Sequence, residues 1–513
     1  MSKVFILSVD QGTTGTTALL VDVSEKTALK IVGRSTVNFP QHFPKADWVE
    51  HDLDEIWLSV VQACNEACMQ GEARAIHFSR KAIVAIGICN QRETLCVYDR
   101  ETLKPLARAI VWQCKRSSAI CKRLKDEGLE ARIRQKTGLF VDPYFSGTKI
   151  RWLLENNADL ARQIKNGSAL LGTIDTFLLS KFGQGKAHVT EASNASRTLL
   201  FNIHEGTWDS ELLAIMGLAS SDNIPEVLDS YGFFTATRGL GFLPDGIPIT
   251  GVLGDQQAAL AGQQCFSSGQ AKCTYGTGAF LLLNVGEQSV LSQQGLLTTV
   301  AWQIAGKRSF ALEGSAFIAG ASLQFLRDNL GLLSSAYESE TLARPVSAAP
   351  LIYFVPALAG LGAPWWYPNA RGAFFGLTRA TTKEQLVRAC LEGLAFQVCD
   401  LIESMQRDSS HTFKVLRVDG GAAANSLLLT IQAQLAEIRV ERPHNLETTA
   451  MGAVFFAGLG AKIFNSFQEL GGTSKIQASF EPAVDPEAKD LVRKQKDGWQ
   501  RAVKAVQVFS GLE

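Results

Sequence analysis

Short apolar runs alternate with longer amphipathic ones along the chain. The short runs, rich in β-branched and aliphatic residues, cover 4–9, 18–23, 82–89, 271–274, 279–285 and 415–418. Each reads as a buried strand. The long runs, 53–69 and 382–405, carry apolar residues at helical spacing. Asp52 with Glu55, and Thr382 with Gln385, resemble capping boxes at the two helix starts. Leu386, Cys390, Leu394 and Leu401 fall near one face of the second helix, which predicts core. Strands alternating with helices predict an α/β chain.

One pattern occurs twice. Asp10-Gln11-Gly12-Thr13-Thr14 follows an apolar strand and leads into a second strand from Thr17. Tyr275-Gly276-Thr277-Gly278 does the same before Phe280. Gly12 and Gly276 are 264 residues apart, about half of 513. Two strands joined by a Gly-Thr turn read as a hairpin. Its repetition suggests a duplicated fold with a cleft between the copies. Such a turn exposes consecutive N–H groups and hydroxyls that suit phosphate, although a plain polar turn has the same composition. Asp10, at the strand end, could hold Mg²⁺ through water. At 416–425 a strand enters Gly420-Gly421, with a helix expected from about Asn425. That junction suits a nucleotide, or only close strand–helix packing. Arg92-Glu93 after one strand could bracket polyol hydroxyls. Asp255, after 249–253, could act as a general base.

Composition narrows the function. Lys plus Arg and Asp plus Glu are 50 each, so no positive field favours nucleic acid, and an anionic ligand needs a local device. No stretch approaches the ~18 apolar residues of a membrane span. The N-terminus lacks a signal-peptide pattern. The ten cysteines form no C-x-x-C, which predicts reduced, buried thiols and a cytoplasmic protein. A P-loop and a G-x-S-x-G elbow are absent, and the Gly-x-Gly pairs at 276 and 458 lack a third glycine.

Taken in order, these segments resemble the FGGY carbohydrate kinases, and within them the glycerol-phosphorylating branch, over essentially the whole chain. The motifs are Asp10–Thr14, Trp48-Val49-Glu50-His51-Asp52, Asn90-Gln91-Arg92-Glu93-Thr94 and Ala109-Ile110-Val111-Trp112-Gln113. Asp142 to Lys149, Gly172 to Thr176, Asn194-Ala195-Ser196-Arg197-Thr198, Gly254-Asp255-Gln256-Gln257, the second hairpin and Asp419-Gly420-Gly421 follow. The resemblance implies two RNase H-like (actin-like ATPase) domains, 1–254 and 255–513, around a central catalytic cleft. It implies ATP and Mg²⁺ as cofactors, glycerol as acceptor, and a homo-oligomer. Arg92, Glu93, Tyr144, Asp255 and Gln256 would hold the polyol, with Trp112 and Phe280 against its carbons. Asp255 would be the base. Thr13, Thr14, Gly15, Thr17, Thr277, Gly320, Gln324, Gly421 and Asn425 would line the ATP site, and Asp10 would organise Mg²⁺.

The same residues suit erythritol or dihydroxyacetone, and a non-catalytic actin-like nucleotide-binding protein is the alternative of another class. In one respect the chain departs from the pattern: the family carries Arg three residues beyond the second Thr of the first hairpin, and here Thr17 stands there. Another cation is expected to compensate, because every polyol position is intact. The stretch 231–249 also lacks the glycine-lysine loop and the phosphorylatable His of regulated relatives, so neither sugar-bisphosphate inhibition nor a histidine switch is expected.

Overall fold

The computed structural model describes residues 3–74, 78–346, 351–409, 411–473 and 475–511. Two sheets carry it. The first has six strands, ordered Tyr231–Ala236, Pro248–Gly254, Ile83–Asn90, Phe5–Gln11, Gly15–Asp22 and Lys30–Asn38. The second has seven, ordered Leu297–Ile304, Lys307–Ala316, Ala279–Gly286, Ala271–Tyr275, Val415–Asp419, Arg439–Pro443 and Ile476–Phe480.

The repeated turns are hairpins in both sheets. Phe5–Gln11 runs antiparallel to Gly15–Asp22 and parallel to Ile83–Asn90. Ala271–Tyr275 runs antiparallel to Ala279–Gly286 and parallel to Val415–Asp419. The duplication is therefore topological over these three strands of each sheet. The second strand of the first hairpin starts at Gly15 rather than Thr17, because pairing continues to Gln11↔Thr16 next to the turn.

The two long helices span Leu53–Arg74 and Lys383–Ser409. Thr382 and Gln385 cap each other as expected, with Thr382 N–H donating to Gln385 Oε1 at 3.0 Å and Gln385 N–H to Thr382 Oγ1 at 3.4 Å. The first capping box is only half formed. Asp52 accepts from Asp54 N–H, but the Glu55 carboxylate pairs with His42 Nε2 at 2.9 Å instead of turning back. Cys390, Leu394 and Leu401 are buried. All ten cysteines are buried and unbridged, and no described helix is long and apolar enough to cross a membrane.

Two helices meet where the sheets approach each other. Asp255–Gly262 leaves the end of the first sheet, and Thr448–Gly460 lies across that sheet. Backbones touch here. A Cβ on Gly262 would come within 1.8 Å of the Thr448 carbonyl, and one on Gly452 within 1.9 Å of the Ala258 carbonyl. Only glycine permits that approach.

The C-terminal helix Pro486–Phe509 is tied to Lys383–Ser409 through a buried carboxyl. Asp400 accepts from Trp499 Nε1 at 2.8 Å, Gln500 Nε2 at 3.0 Å and Trp365 Nε1 at 3.3 Å. Burial pushes its pKa up to about 7, against these hydrogen bonds. Between the ordinary Asp value, about 4, and 7, the folded chain holds a proton that the unfolded chain has released. Stability is therefore lost as pH rises through this window. Asp400→Asn is expected to gain in Tm on the wild type between pH 4 and 7; a Tm difference independent of pH would refute this.

Candidate active site

The site lies at the strand ends that carry the first hairpin and at the matching end of the second sheet. Its centre is a buried group of charges. Arg92 and Glu93 follow Ile83–Asn90, and Glu93 sits in the left-handed region at φ 61°, which directs consecutive side chains of opposite charge into one pocket. Arg92 Nη1 and Nη2 donate to the two oxygens of Glu313 at 2.5 and 3.0 Å. Arg197 Nε donates to Glu93 Oε1 at 2.6 Å, and its Nη2 to Glu313 Oε1 at 2.9 Å. Arg92 Nε stands 3.3 Å from Asp255 Oδ1. Two guanidinium groups thus alternate with three carboxylates. Bidentate, charge-assisted bonds of this kind hold geometry firmly.

Their protonation follows. Burial would raise Glu313, but Arg197 and Arg92 outweigh it and hold the carboxyl down at about 2. Burial raises Glu93 against the pull of the same arginines. Burial also raises Asp255, with Arg92 opposing. Asp255 keeps 27% of its side chain accessible, whereas Glu313 has none. The partly accessible Asp255 carboxylate can therefore meet a substrate, while Glu313 is a fixed support.

Around this core the aromatic residues come together. The Trp112 and Tyr144 rings pack edge to face at 5.4 Å between centroids. Arg197 lies 5.6 Å from the Tyr144 centroid. Trp112 Nε1 donates to Thr13 Oγ1 at 3.0 Å, which joins this aromatic group to the first turn. Phe280 pairs with Thr274 on one side and Ser315 on the other, and Lys272, Leu282 and Glu313 form the neighbouring row on the same face. Lys272 Nζ donates to Gln256 Oε1 at 2.5 Å and to Thr274 Oγ1 at 2.9 Å. Burial lowers the Lys272 pKa, and Asp419 and Asp255 counter that.

Each of the two turns is closed by a backbone hydrogen bond. Gly12 N–H donates to the Gly15 carbonyl, and Gly276 N–H to the Gly278 carbonyl, both at 2.9 Å. Thr14 and Thr277 are exposed beside them. The start of helix Gly320–Asp328 closes on the second turn: Gly320 N–H donates to the Gly276 carbonyl at 3.0 Å, and a Cβ at 320 would sit 2.6 Å from it. Gln324 is exposed on that helix. Gly420, at φ +85°, passes so close to Tyr275 that a Cβ would meet its carbonyl at 2.5 Å. Gly421 has open space where its Cβ would be. Asn425 caps Ser426–Ala436 by accepting from Leu428 N–H at 2.9 Å, and its amide donates to Ser339 Oγ. Thr17 Oγ1 bonds Thr36 Oγ1 at 2.9 Å on the neighbouring strand.

Asp10 is a perturbed acid beside this group. Burial, then the charges of Asp255 and Glu447, push it up to about 7. Among the described residues no cluster of three or more His, Cys, Asp or Glu side chains could alone enclose a metal. Mutually repelling oxygen donors nonetheless suit a hard divalent ion that keeps most of its waters. Arg197, Glu313 and Lys272 carry no assigned role in the sequence reading. Glu313 has one local signal, a lone charge inside the apolar strand 310–316.

Two sheets of matching topology, each opening on a Gly-Thr hairpin beside a shared charged pocket, define a two-domain actin-like ATPase fold. The family models "FGGY family of carbohydrate kinases, N-terminal domain" and "C-terminal domain" match residues 5–262 and 271–461. The chain belongs to the FGGY family of carbohydrate kinases. It is 48% identical to the glycerol kinase of Myxococcus xanthus over 97% of this chain and 98% of that protein. It is 49% identical to the glycerol kinase of Carboxydothermus hydrogenoformans over 98% of each. A crystal structure of Plasmodium falciparum glycerol kinase with ADP superposes with TM-score 0.90 at 34% identity, covering 98% of each chain.

Proposed function

We propose that this chain transfers the terminal phosphoryl group of ATP to a terminal hydroxyl of glycerol, giving sn-glycerol 3-phosphate and ADP. The observation that carries the reading is the pocket in which an accessible Asp255 stands 3.3 Å from a buried, doubly anchored Arg92. Arg92, Glu93, Tyr144 and Gln256 hold the hydroxyls; Trp112 and Phe280 cover the carbons. Asp255 takes the proton of the attacking hydroxyl as its oxygen bonds phosphorus and the bond from phosphorus to ADP breaks. The turns at 12–14 and 276–278 donate N–H and O–H groups to the triphosphate, and Gly421 gives the nucleotide room. Asp10 would hold Mg²⁺ through water, and the ion would neutralise phosphate charge. Positioning and charge stabilisation supply most of the acceleration in such transfers.

We place the domain division at 254/255 and the enzyme in the cytoplasm, the latter in keeping with ten reduced cysteines. A homo-oligomer follows from the family resemblance. A coupled assay of ADP release with glycerol, erythritol, dihydroxyacetone or no acceptor tests the function. Glycerol is expected to give the highest kcat/KM. ADP release that ignores the acceptor, or none with any of them, would refute the reading.

A further inference from the structure

The three strands around the first hairpin put very little positive charge beside a cluster of carboxylates. Phe5–Gln11 and Gly15–Asp22 contain no Lys or Arg, and Lys30–Asn38 contains only Lys30 and Arg34. Helix Thr448–Gly460, which covers the same face, contains no charged residue. Lys30 pairs with Asp22, at the end remote from the turn. Arg34 is placed differently.

Register fixes where Arg34 points. Cys89, Asp10, Thr17 and Thr36 form one row across four strands, and the Thr17–Thr36 hydroxyl bond shows that they share a face. The next row on that face is Ser8, Leu19 and Arg34. Leu19 packs under Ala450 and Val454, so this face is the one that the helix covers. Arg34 Nε donates to Glu447 Oε1 at 2.7 Å, at the helix start. Glu447 is near enough for its charge to raise Asp10. Residues two apart on a strand are ~7 Å apart and neighbouring strands ~4.8 Å, within the span of an arginine side chain. A guanidinium rooted at 34 can therefore lie over Thr17, beside the turn, and the small Thr17 side chain leaves that space free.

We propose that Arg34 is the cation that meets the terminal phosphate of bound ATP in this chain, having moved there from Glu447. The inference rests on reading the first hairpin as the phosphate site. The Arg34–Glu447 pair is half-exposed, with 50% and 29% of the two side chains accessible. Pairs of that kind are weakly held, whereas a triphosphate offers several negative oxygens in bidentate geometry. No other Lys or Arg on these three strands or on the covering helix sits on that row or the next.

The test uses the full chain. Arg34→Ala is expected to lower kcat at least tenfold, with the glycerol KM within twofold and Tm unchanged. It should also weaken binding of the non-hydrolysable analogue AMP-PNP, titrated without glycerol, at least fivefold. Thr17→Arg is the rescuing substitution. In the Arg34→Ala background it should restore most of the loss, because it places a guanidinium over the same spot from the adjacent strand. Wild-type kcat and AMP-PNP affinity in Arg34→Ala would overturn the proposal. So would a loss that Thr17→Arg leaves unrepaired, which would assign Arg34 to holding Glu447. If the wild type fails to phosphorylate glycerol, the proposed acceptor is wrong, and the AMP-PNP titrations still decide the role of Arg34.

Discussion

Asp255→Asn is expected to lower glycerol-dependent ADP release by about 10³-fold, within the range that a positioned acid or base contributes. The substitution keeps shape and volume. Asn can still accept the Gln256 N–H bond that Asp255 Oδ1 accepts at 2.7 Å. What it removes is the ability to take a proton from the attacking hydroxyl. The pH profile gives a second reading. Burial holds the Asp255 pKa above the ordinary carboxylate value in spite of Arg92. A base must be ionised to act, so kcat/KM of the wild type should rise with pH on its acid side, with that limb displaced upward from about 4. The residual activity of Asp255→Asn should lack the limb. A rate within tenfold of wild type would remove Asp255 from the base role.

Glu313→Gln should be the most damaging single change to the fold of the site. Glu313 is fully buried and accepts hydrogen bonds from both Arg92 and Arg197. Neutralising it leaves two buried guanidinium groups with incomplete compensation, which typically costs about 3–5 kcal/mol. Denaturant unfolding should report that loss. The glycerol KM should rise more than the ATP KM, because Arg92 loses its anchor while both turns stay intact. Acid should produce a milder version. The Glu313 carboxyl is held at about 2, so its contribution is present at neutral pH and is lost as pH falls from about 4 through 2. Stability within 1 kcal/mol of wild type would show that the arginines are neutralised from elsewhere.

The contrast between these residues shows which signals are local. Asp255 is legible because a carboxylate after an apolar strand, followed by Gln-Gln, is an unusual strand end. Arg92 and Glu93 are legible for the same reason. The hairpins at 12–14 and 276–278 are legible because a Gly-Thr turn between two apolar runs is complete within about fifteen residues. Glu313 is a lone charge in an apolar strand, and its partner Arg92 lies 221 residues away. Such a charge looks like a solvated edge until the second sheet brings it to the first. Arg34 reads as an ordinary exposed strand residue until register places it one row from Asp10.

By itself, the sequence determined the alternation of strands and helices, the duplicated hairpin, the family and the polar ends of the strands. All of these are written in short-range pattern, where the periods of strand and helix and the freedom of glycine act on neighbouring residues. Tertiary structure alone decided the rest. It closed five charges into one pocket and set Asp255 open and Glu313 shut. It brought helices Asp255–Gly262 and Thr448–Gly460 together backbone to backbone at Gly262 and Gly452. The physical reason is common to all of them. Coulomb interaction, desolvation and close packing depend on distance in space, and the groups concerned come from opposite halves of the chain or from strands and helices that only the fold makes neighbours.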